Sequence, residues 1–305
     1  KTFNTINMSN IKNIQKMLKG RLRENISLKD YNTWKVGGKA EYFYEPFDLE
    51  DLKLFFKLLE NTPIIFLGNG SNVLIRDGGI EGCIVCLKKT LNNYHFKNEE
   101  YIFEAGLSCM KMAQITAREN YEGLEYLCGI PGSLGGALTM NAGCYGGNIW
   151  DHVTTVSLIN NNGEIIKKNK NDFIIGYRNT SLEENNFFIS AVFKLRKNKL
   201  KNSLEKIKEF LQDRRSKQPT GLLSCGSVFK NPHNLYAAQL IESIGLKGYK
   251  IGGAYISEKH ANFIISDKFT KSNDIEKLIN FIQKEVFKKK DIILETEVKF
   301  IGNKL

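Results

Sequence analysis

The sequence predicts an α+β protein in two parts: a glycine-rich, strand-rich first two-thirds, then a smaller α+β domain. Three observations carry this. Short apolar runs of strand length, broken by glycine turns, recur up to about residue 197. Beyond that point three amphipathic helical patterns dominate, and one strand pattern closes the chain. The chain has 305 residues and 42% apolar content, which suits two or three subdomains sharing a core.

Taken in order, "LEDLKLFFKLLEN" (49–61) has helical periodicity with interleaved charges. "PIIFLGNGSNVLIRDGG" (63–79) reads as strand, glycine turn, short strand, turn, and "GCIVCL" (82–87) and "YIFEA" (101–105) are further strands. Ser108 is placed to cap a helix running to about Asn120. Residues 123–147 are too glycine-rich for a plain helix or strand, yet apolar enough to be buried. Strands follow at 153–159 and 187–195. Then come a helix in "SLEKIKEFLQDRRSKQP", a second at 235–248 closed by Gly245, and a third at 272–290. The third places Ile275, Leu278, Ile279, Ile282, Val286 and Phe287 on one stripe. "DIILETEVKFIG" (291–302) alternates as a strand.

The net charge is +11, but the lysines are spread along the chain. That favours solubility and a mild attraction for anions over a nucleic-acid arm. No run of 18 apolar residues exists, so no transmembrane helix is expected. The N-terminus lacks the apolar core of a secretory signal, and Met8 reads as a natural start with residues 1–7 as an extension. Cysteines 83, 86, 109, 128, 144 and 225 lie mostly among apolar or glycine neighbours, which points to reduced thiols in the cytoplasm. Cys83 and Cys86 form a C-x-x-C, but with no second such pair and only four histidines they read as buried strand residues on opposite faces, with no metal site.

Two glycine-rich loops carry the chemistry. In "LGNGSNVL" (67–74), small residues let backbone N–H groups converge into an anion nest able to hold a pyrophosphate, and Asn69, Ser71 and Asn72 add donors. It is neither a Walker loop nor a G-x-G-x-x-G fingerprint. In "GIPGSLGGALTMNAGCYG" (129–146), Pro131 presets a turn, Gly132, Gly135 and Gly136 leave room for a flat ligand, and Asn141 can bond a heterocycle edge. Further on, Ser227 in "LLSCGSVFKNP" follows a turn glycine and has no adjacent histidine base; nucleophile, proton donor and turn serine all remain open. Arg178 in "GYRNTS" offers a planar fork for a carboxylate. Glu297 lies on the polar face of the last strand, which by pattern alone reads as solvated.

The motifs "NTWKVGGKAEYFYEP", "LGNGSNVLIRDGG", "GLEYLCGIPGSLGGALTMNAG", "GYRNTSL", "SCGSVFKNP", "GYKIGGAYISEKHANFIIS" and "LETEVKFIG" occur in this order. Together they closely resemble the UDP-N-acetylenolpyruvoylglucosamine reductases, flavoenzymes of early peptidoglycan synthesis, over residues 28–302. The segment from Gly248 to Ala261 resembles the second subtype, which lacks an extra tyrosine-bearing loop. The resemblance implies a vanillyl-alcohol-oxidase/PCMH-type FAD-binding domain of two α+β subdomains, then a smaller α+β substrate-binding domain. The expected boundaries are an extension and helix at 1–27, the FAD domain at 28–197 with subdomains at about 28–88 and 89–197, and the last domain at 198–305.

Carried over residue by residue, Gly68, Asn69, Gly70, Ser71 and Asn72 would hold the pyrophosphate of a non-covalent FAD. Gly129, Ile130, Pro131, Gly132, Ser133, Gly135, Gly136, Asn141 and Gly143 would line the flavin and adenine path. The implied reaction passes a hydride from NADPH through flavin N5 to an enolpyruvyl group. Ser227 would give the proton, and Arg178 and Glu297 would stabilise the enolate, Glu297 if burial keeps it protonated. Tyr177, Arg214, Lys217, Lys230, Asn231 and Lys250 are candidates for the UDP-sugar substrate. A cytoplasmic monomer is expected, with no nucleic-acid partner and no membrane insertion. The competing reading is another FAD-dependent sugar or alcohol oxidoreductase of the same fold.

Overall fold

The computed structural model describes residues 8–59 and 62–305. The extension expected at 1–7 lies outside the described residues, as do the last two positions of the helix expected at 49–61. The chain forms two compact units. The first comprises the chain up to Glu24, Tyr42–Asn69 and Gly82–Gln212; the second comprises Asn25–Glu41, Gly70–Glu81 and Asp213–Leu305. The division expected at 197/198 falls inside the first unit, and two interior segments join the C-terminal residues in the second.

In the first unit, helices α1 (Met8–Met17) and α2 (Leu49–Leu58) share one core. Asp48 caps α2 by accepting from Asp51 N at 2.8 Å, and Leu52, Phe55 and Phe56 form its buried face. The Asp51 carboxylate is buried and accepts from the amides of Lys19, Gly20 and Phe47 and from the Tyr44 hydroxyl. Burial pushes its pKa up, but those donors together hold it below the usual carboxylate range. The strands Ile64–Leu67 and Ile80–Cys86 pair in parallel, with Ile64 opposite Cys83 and Leu67 opposite Cys86. Both thiols are buried there, as the strand reading required.

The rest of this unit is a five-stranded antiparallel sheet in the order 165–169, 153–160, 186–194, 100–104, 94–97. Helix α3 (Cys109–Arg118) starts from Ser108, whose side chain accepts from Lys111 N at 3.3 Å. The glycine-rich stretch resolves into a 3-10 turn at Glu125–Gly129, a seven-residue helix α4 (Leu134–Met140) and a tight hairpin at 143–148. Trp150, Phe103, Phe193, Leu134 and Leu138 fill the core below it. Helix α5 (Ser203–Lys217) packs Ile207 into the same core.

The second unit is built around helix α7 (Ser272–Lys290). Ile275, Leu278, Ile279, Ile282 and Val286 are fully buried. Phe287 departs from the expected stripe and is 50% exposed. At about 100° per residue it lies roughly a third of a turn from the stripe's centre. Asp77 receives the first amides of α7, Ser272 N at 3.1 Å and Asn273 N at 2.9 Å. A three-stranded antiparallel sheet (250–251, 254–256, 264–266) and helix α6 (Ala237–Ser243) complete the core. Helix α6 is shorter than the expected 235–248, since Leu235 and Tyr236 stay exposed and Gly245 closes it onto Glu242 O. The expected strand at 291–302 is also short. Only Lys299–Ile301 forms a ladder, parallel to Val73–Ile75, while Thr296 makes a single bridge to Phe229. The alternation survives as burial: Leu294 and Val298 point inward and Glu295 outward.

Candidate active site

Within the first unit the two glycine loops touch. A Cβ on Gly68 would stand 2.4 Å from Ser133 Oγ, and Asn69 Nδ2 donates to Pro131 O at 3.2 Å. Gly129 ends the 3-10 turn, Ile130 N donates back to Leu127 O, and Gly132 O receives Cys109 N, so this approach is fixed by backbone bonds. The adjacent Gly135 and Gly136 have different causes. Gly135 packs on the sheet: its Cβ would meet Ala105 Cβ at 3.2 Å. Gly136 is exposed, and outside its own helix its Cβ would find nothing nearer than Ser133 Oγ at 3.9 Å. Of these two, Gly136 leaves free room for a ligand.

Asn141 ends α4 in the left-handed region at φ 42°. Its Nδ2 donates to Gly176 O at 2.8 Å, and its buried Oδ1 has no hydrogen-bond partner among the described residues. The sequence reading offered its amide to a heterocycle; the donor side is used within the protein and an acceptor remains. Gly143 is required by its own hairpin, since a Cβ there would strike Asn148 Oδ1 and Gly147 O at 2.5 Å. Arg178 sits at the turn of the hairpin 175–180, with its guanidinium 5.0 Å over the Tyr177 ring and Nη2 donating to Gly143 O at 2.8 Å. Asn141, Tyr145 and Arg178 all have positive φ, a conformation costing about 1–2 kcal/mol for each non-glycine residue. Ten other non-glycine residues among those described share this conformation, so it does not by itself mark the site. Tyr145 was not singled out in the sequence. It stacks on Phe210 at 4.3 Å and donates to Phe210 O at 2.9 Å, and its only signal was an aromatic set among small residues in "AGCYGG".

In the second unit, Gly70 has φ +64, and a Cβ would stand 2.1 Å from Tyr31 O, so only glycine fits. Among the described residues the amides of Gly70, Ser71 and Asn72 donate no backbone hydrogen bond, as an anion nest requires. Ser227 follows Gly226, whose φ is +72, and is half-buried. Its strap is held on both edges. Val228 N and Phe229 N donate to Asn262 O and Oδ1 at 2.9 Å, and Asn262 Nδ2 returns a bond to Phe229 O at 2.8 Å. On the other edge Glu297 N donates to Val228 O at 2.8 Å and Lys230 N to Glu295 O at 2.9 Å. Cys225 Sγ lies 3.1 Å from Thr33 Oγ1 and 3.4 Å from Val73 O, and burial pushes its thiol up to about 12, so it stays protonated. Ser227 and Glu297 thus lie on neighbouring, mutually bonded segments.

The remaining candidates are engaged. Lys230 pairs with Glu295 at 3.0 Å, Lys250 with Asp267 at 3.5 Å and Lys217 with Asp213 at 2.6 Å. Asn231 Oδ1 accepts from Ala237 N at the start of α6, and Arg214 lies on the last turn of α5. Among the described residues no group of three His, Cys, Asp or Glu could hold a metal ion. Nor is any helix among them long and apolar enough to cross a membrane.

In the first unit, touching glycine loops, an open face at Gly136 and a buried acceptor at Asn141 fit FAD. A family model described as an FAD binding domain matches residues 40–169. The class is therefore an FAD-dependent oxidoreductase. A second model, the C-terminal domain of UDP-N-acetylenolpyruvoylglucosamine reductase, matches residues 218–301. The reductase of that name from Nitrosomonas eutropha is 42% identical over 299 residues, covering 94% of this chain and 90% of its own. That of Legionella pneumophila (strain Corby) is 45% identical over 287 residues, covering 93% of each. The crystal structure of the Thermus caldophilus reductase superposes with a TM-score of 0.81 at 30% identity, over 93% of this chain and all of the other. The chain belongs to the UDP-N-acetylenolpyruvoylglucosamine reductase family. The expected fold, a PCMH-type FAD-binding domain followed by a smaller α+β domain, is borne out.

Proposed function

We propose that the protein reduces UDP-N-acetylglucosamine enolpyruvate to UDP-N-acetylmuramate with NADPH, in the cytoplasm, for cell-wall synthesis. The observation that carries this reading is the placement of Ser227 and Glu297 on segments joined through Glu297 N and Val228 O, with no histidine adjacent to the serine in the sequence. FAD, which the glycine loops around Gly68 and Gly136 would hold, would supply the hydride for the C=C bond, with NADPH as its reductant.

Hydride addition at the terminal carbon leaves negative charge on the carbon next to the carboxylate and on the carboxylate oxygens. Arg178 opposes that charge through its planar fork, held by the Gly143 carbonyl and the Tyr177 ring. Glu297, half-buried, donates a hydrogen bond to the enolate when protonated. Ser227 gives its hydroxyl proton to the adjacent carbon, and solvent restores it. A serine that gives a proton to a carbanion needs no adjacent base, unlike a serine nucleophile. Tyr177, Arg214, Lys217, Lys230, Asn231 and Lys250 hold the nucleotide sugar. The ion pairs of Lys217, Lys230 and Lys250 involve exposed partners; such pairs are worth about 1 kcal/mol or less and are readily exchanged for a diphosphate.

The test is steady-state NADPH oxidation with and without the enolpyruvyl nucleotide, run beside oxygen uptake with simple sugars. The reading expects turnover that depends on the nucleotide. Rapid oxygen uptake with a simple sugar, and none dependent on the nucleotide, would move the protein to an oxidase function.

A further inference from the structure

Asn72, the last residue of the first glycine loop, carries more than the phosphate role its position suggests. Its Nδ2 donates to Glu297 O at 3.1 Å, and its own carbonyl accepts from Lys299 N at 3.1 Å. Both polar ends of the residue thus grip the segment that carries Glu297. A backbone carbonyl can only accept, so the amide nitrogen faces Glu297 and Oδ1 is turned to the other side. Glu297 needs this support. The ladder with Val73–Ile75 begins only at Lys299, and the single bridge at Thr296 precedes it. Among the described residues no continuous ladder spans Glu297; its N–H donates to Val228 O and its C=O accepts from Asn72 Nδ2. One of these leads to the residue after Ser227, the other to the pyrophosphate loop.

We propose that Asn72 is a positioning residue for Glu297, tying the acid of the protonation step to the loop that binds the cofactor phosphates. The inference rests on the function proposed above. With the carboxamide removed, the Glu297 carbonyl loses its donor and the side chain shifts relative to Ser227. A displacement of about 1 Å at reacting groups can cost about 100-fold in rate.

Asn72→Ala and Asn72→Ser are compared with the native protein in two half-reactions and in FAD titration of apoprotein. The expected result, at saturating FAD, is reoxidation by the enolpyruvyl nucleotide slowed about 10- to 100-fold, far more than reduction by NADPH is slowed. In steady state kcat falls while KM for the nucleotide holds. Because Asn72 acts through Glu297, adding Asn72→Ala to Glu297→Gln should slow reoxidation no further. Weakened FAD binding with normal reoxidation once saturated would make Asn72 a phosphate ligand and overturn the proposal. Independent slowing in the double variant, or unfolding of both single variants on a thermal scan, would overturn it too. Failure of the functional reading looks different: reduced native protein would not be reoxidised by the nucleotide at all.

Discussion

Gly136→Ala separates a ligand-lining glycine from a packing glycine at adjacent positions. The new methyl meets nothing outside its own helix nearer than 3.9 Å. Alanine in place of glycine within a helix gains about 0.5–1 kcal/mol. At about 2–4 °C per kcal/mol for a domain of this size, the FAD-free protein should melt about 1–4 °C higher. The same methyl occupies the open side of α4 where the flavin path is expected. Overpacking costs about 1–3 kcal/mol, so FAD affinity should fall about 5- to 150-fold. Gly135→Ala should do the reverse. Its methyl is 3.2 Å from Ala105 Cβ, so the helix must lift, and apoprotein stability should drop by about 1–3 kcal/mol. The assays are thermal unfolding of apoprotein and fluorescence titration with FAD. Undiminished FAD affinity in a stabilised Gly136→Ala protein would refute the placement of the flavin path over α4.

Three further outcomes follow from the site and the core. Ser227→Ala should leave reduction by NADPH intact and slow reoxidation by the nucleotide by about 100-fold or more, read by stopped flow; equal loss in both half-reactions would indicate a structural serine. Arg178→Ala should weaken the second half-reaction in the same way, and an unchanged rate there would remove it from the site. Burial lowers the pKa values of His152 and His260 below the ordinary imidazole value of about 6.5, so the unfolded chain binds more protons than the folded one as pH falls through that range. Stability should therefore be full above about pH 6.5 and decline below it, and substituting either histidine with glutamine should flatten the slope in urea unfolding; an unaltered slope would show that neither titrates abnormally.

Much of this was legible because local chemistry announces itself. Ser108 caps a helix where the pattern begins, and Gly245 ends α6 where a left-handed residue is needed. Both glycine loops could be read as ligand loops, and they do meet, through Gly68 with Ser133 and Asn69 with Pro131. What stayed hidden depends on distant partners. Gly135 and Gly136 are identical in sequence terms, and only Ala105, 30 residues earlier, distinguishes them. The segment 291–298 alternates like a strand, yet its neighbours supply isolated bonds and no ladder. Asn262 fixes the Ser227 strap from 35 positions away, and Thr33 and Val73 flank Cys225 from much farther, so no window of sequence contains them together. The proposal of Ser227, Arg178 and Glu297 as catalytic residues came from resemblance. By pattern alone Glu297 was a solvated residue; in the structure it is half-buried and its carbonyl accepts from the Asn72 side chain, whereas Glu295 is exposed and paired with Lys230.

The central claim is that electrons from NADPH leave this protein onto an enolpyruvyl nucleotide. Anaerobic single-turnover mixing tests it most directly: FAD-loaded protein is bleached with one equivalent of NADPH, then mixed with UDP-N-acetylglucosamine enolpyruvate. The account predicts that the visible flavin absorbance returns in one exponential phase, with one equivalent of saturated product. Flavin that stays bleached with the nucleotide and recovers only on admitting oxygen would contradict it.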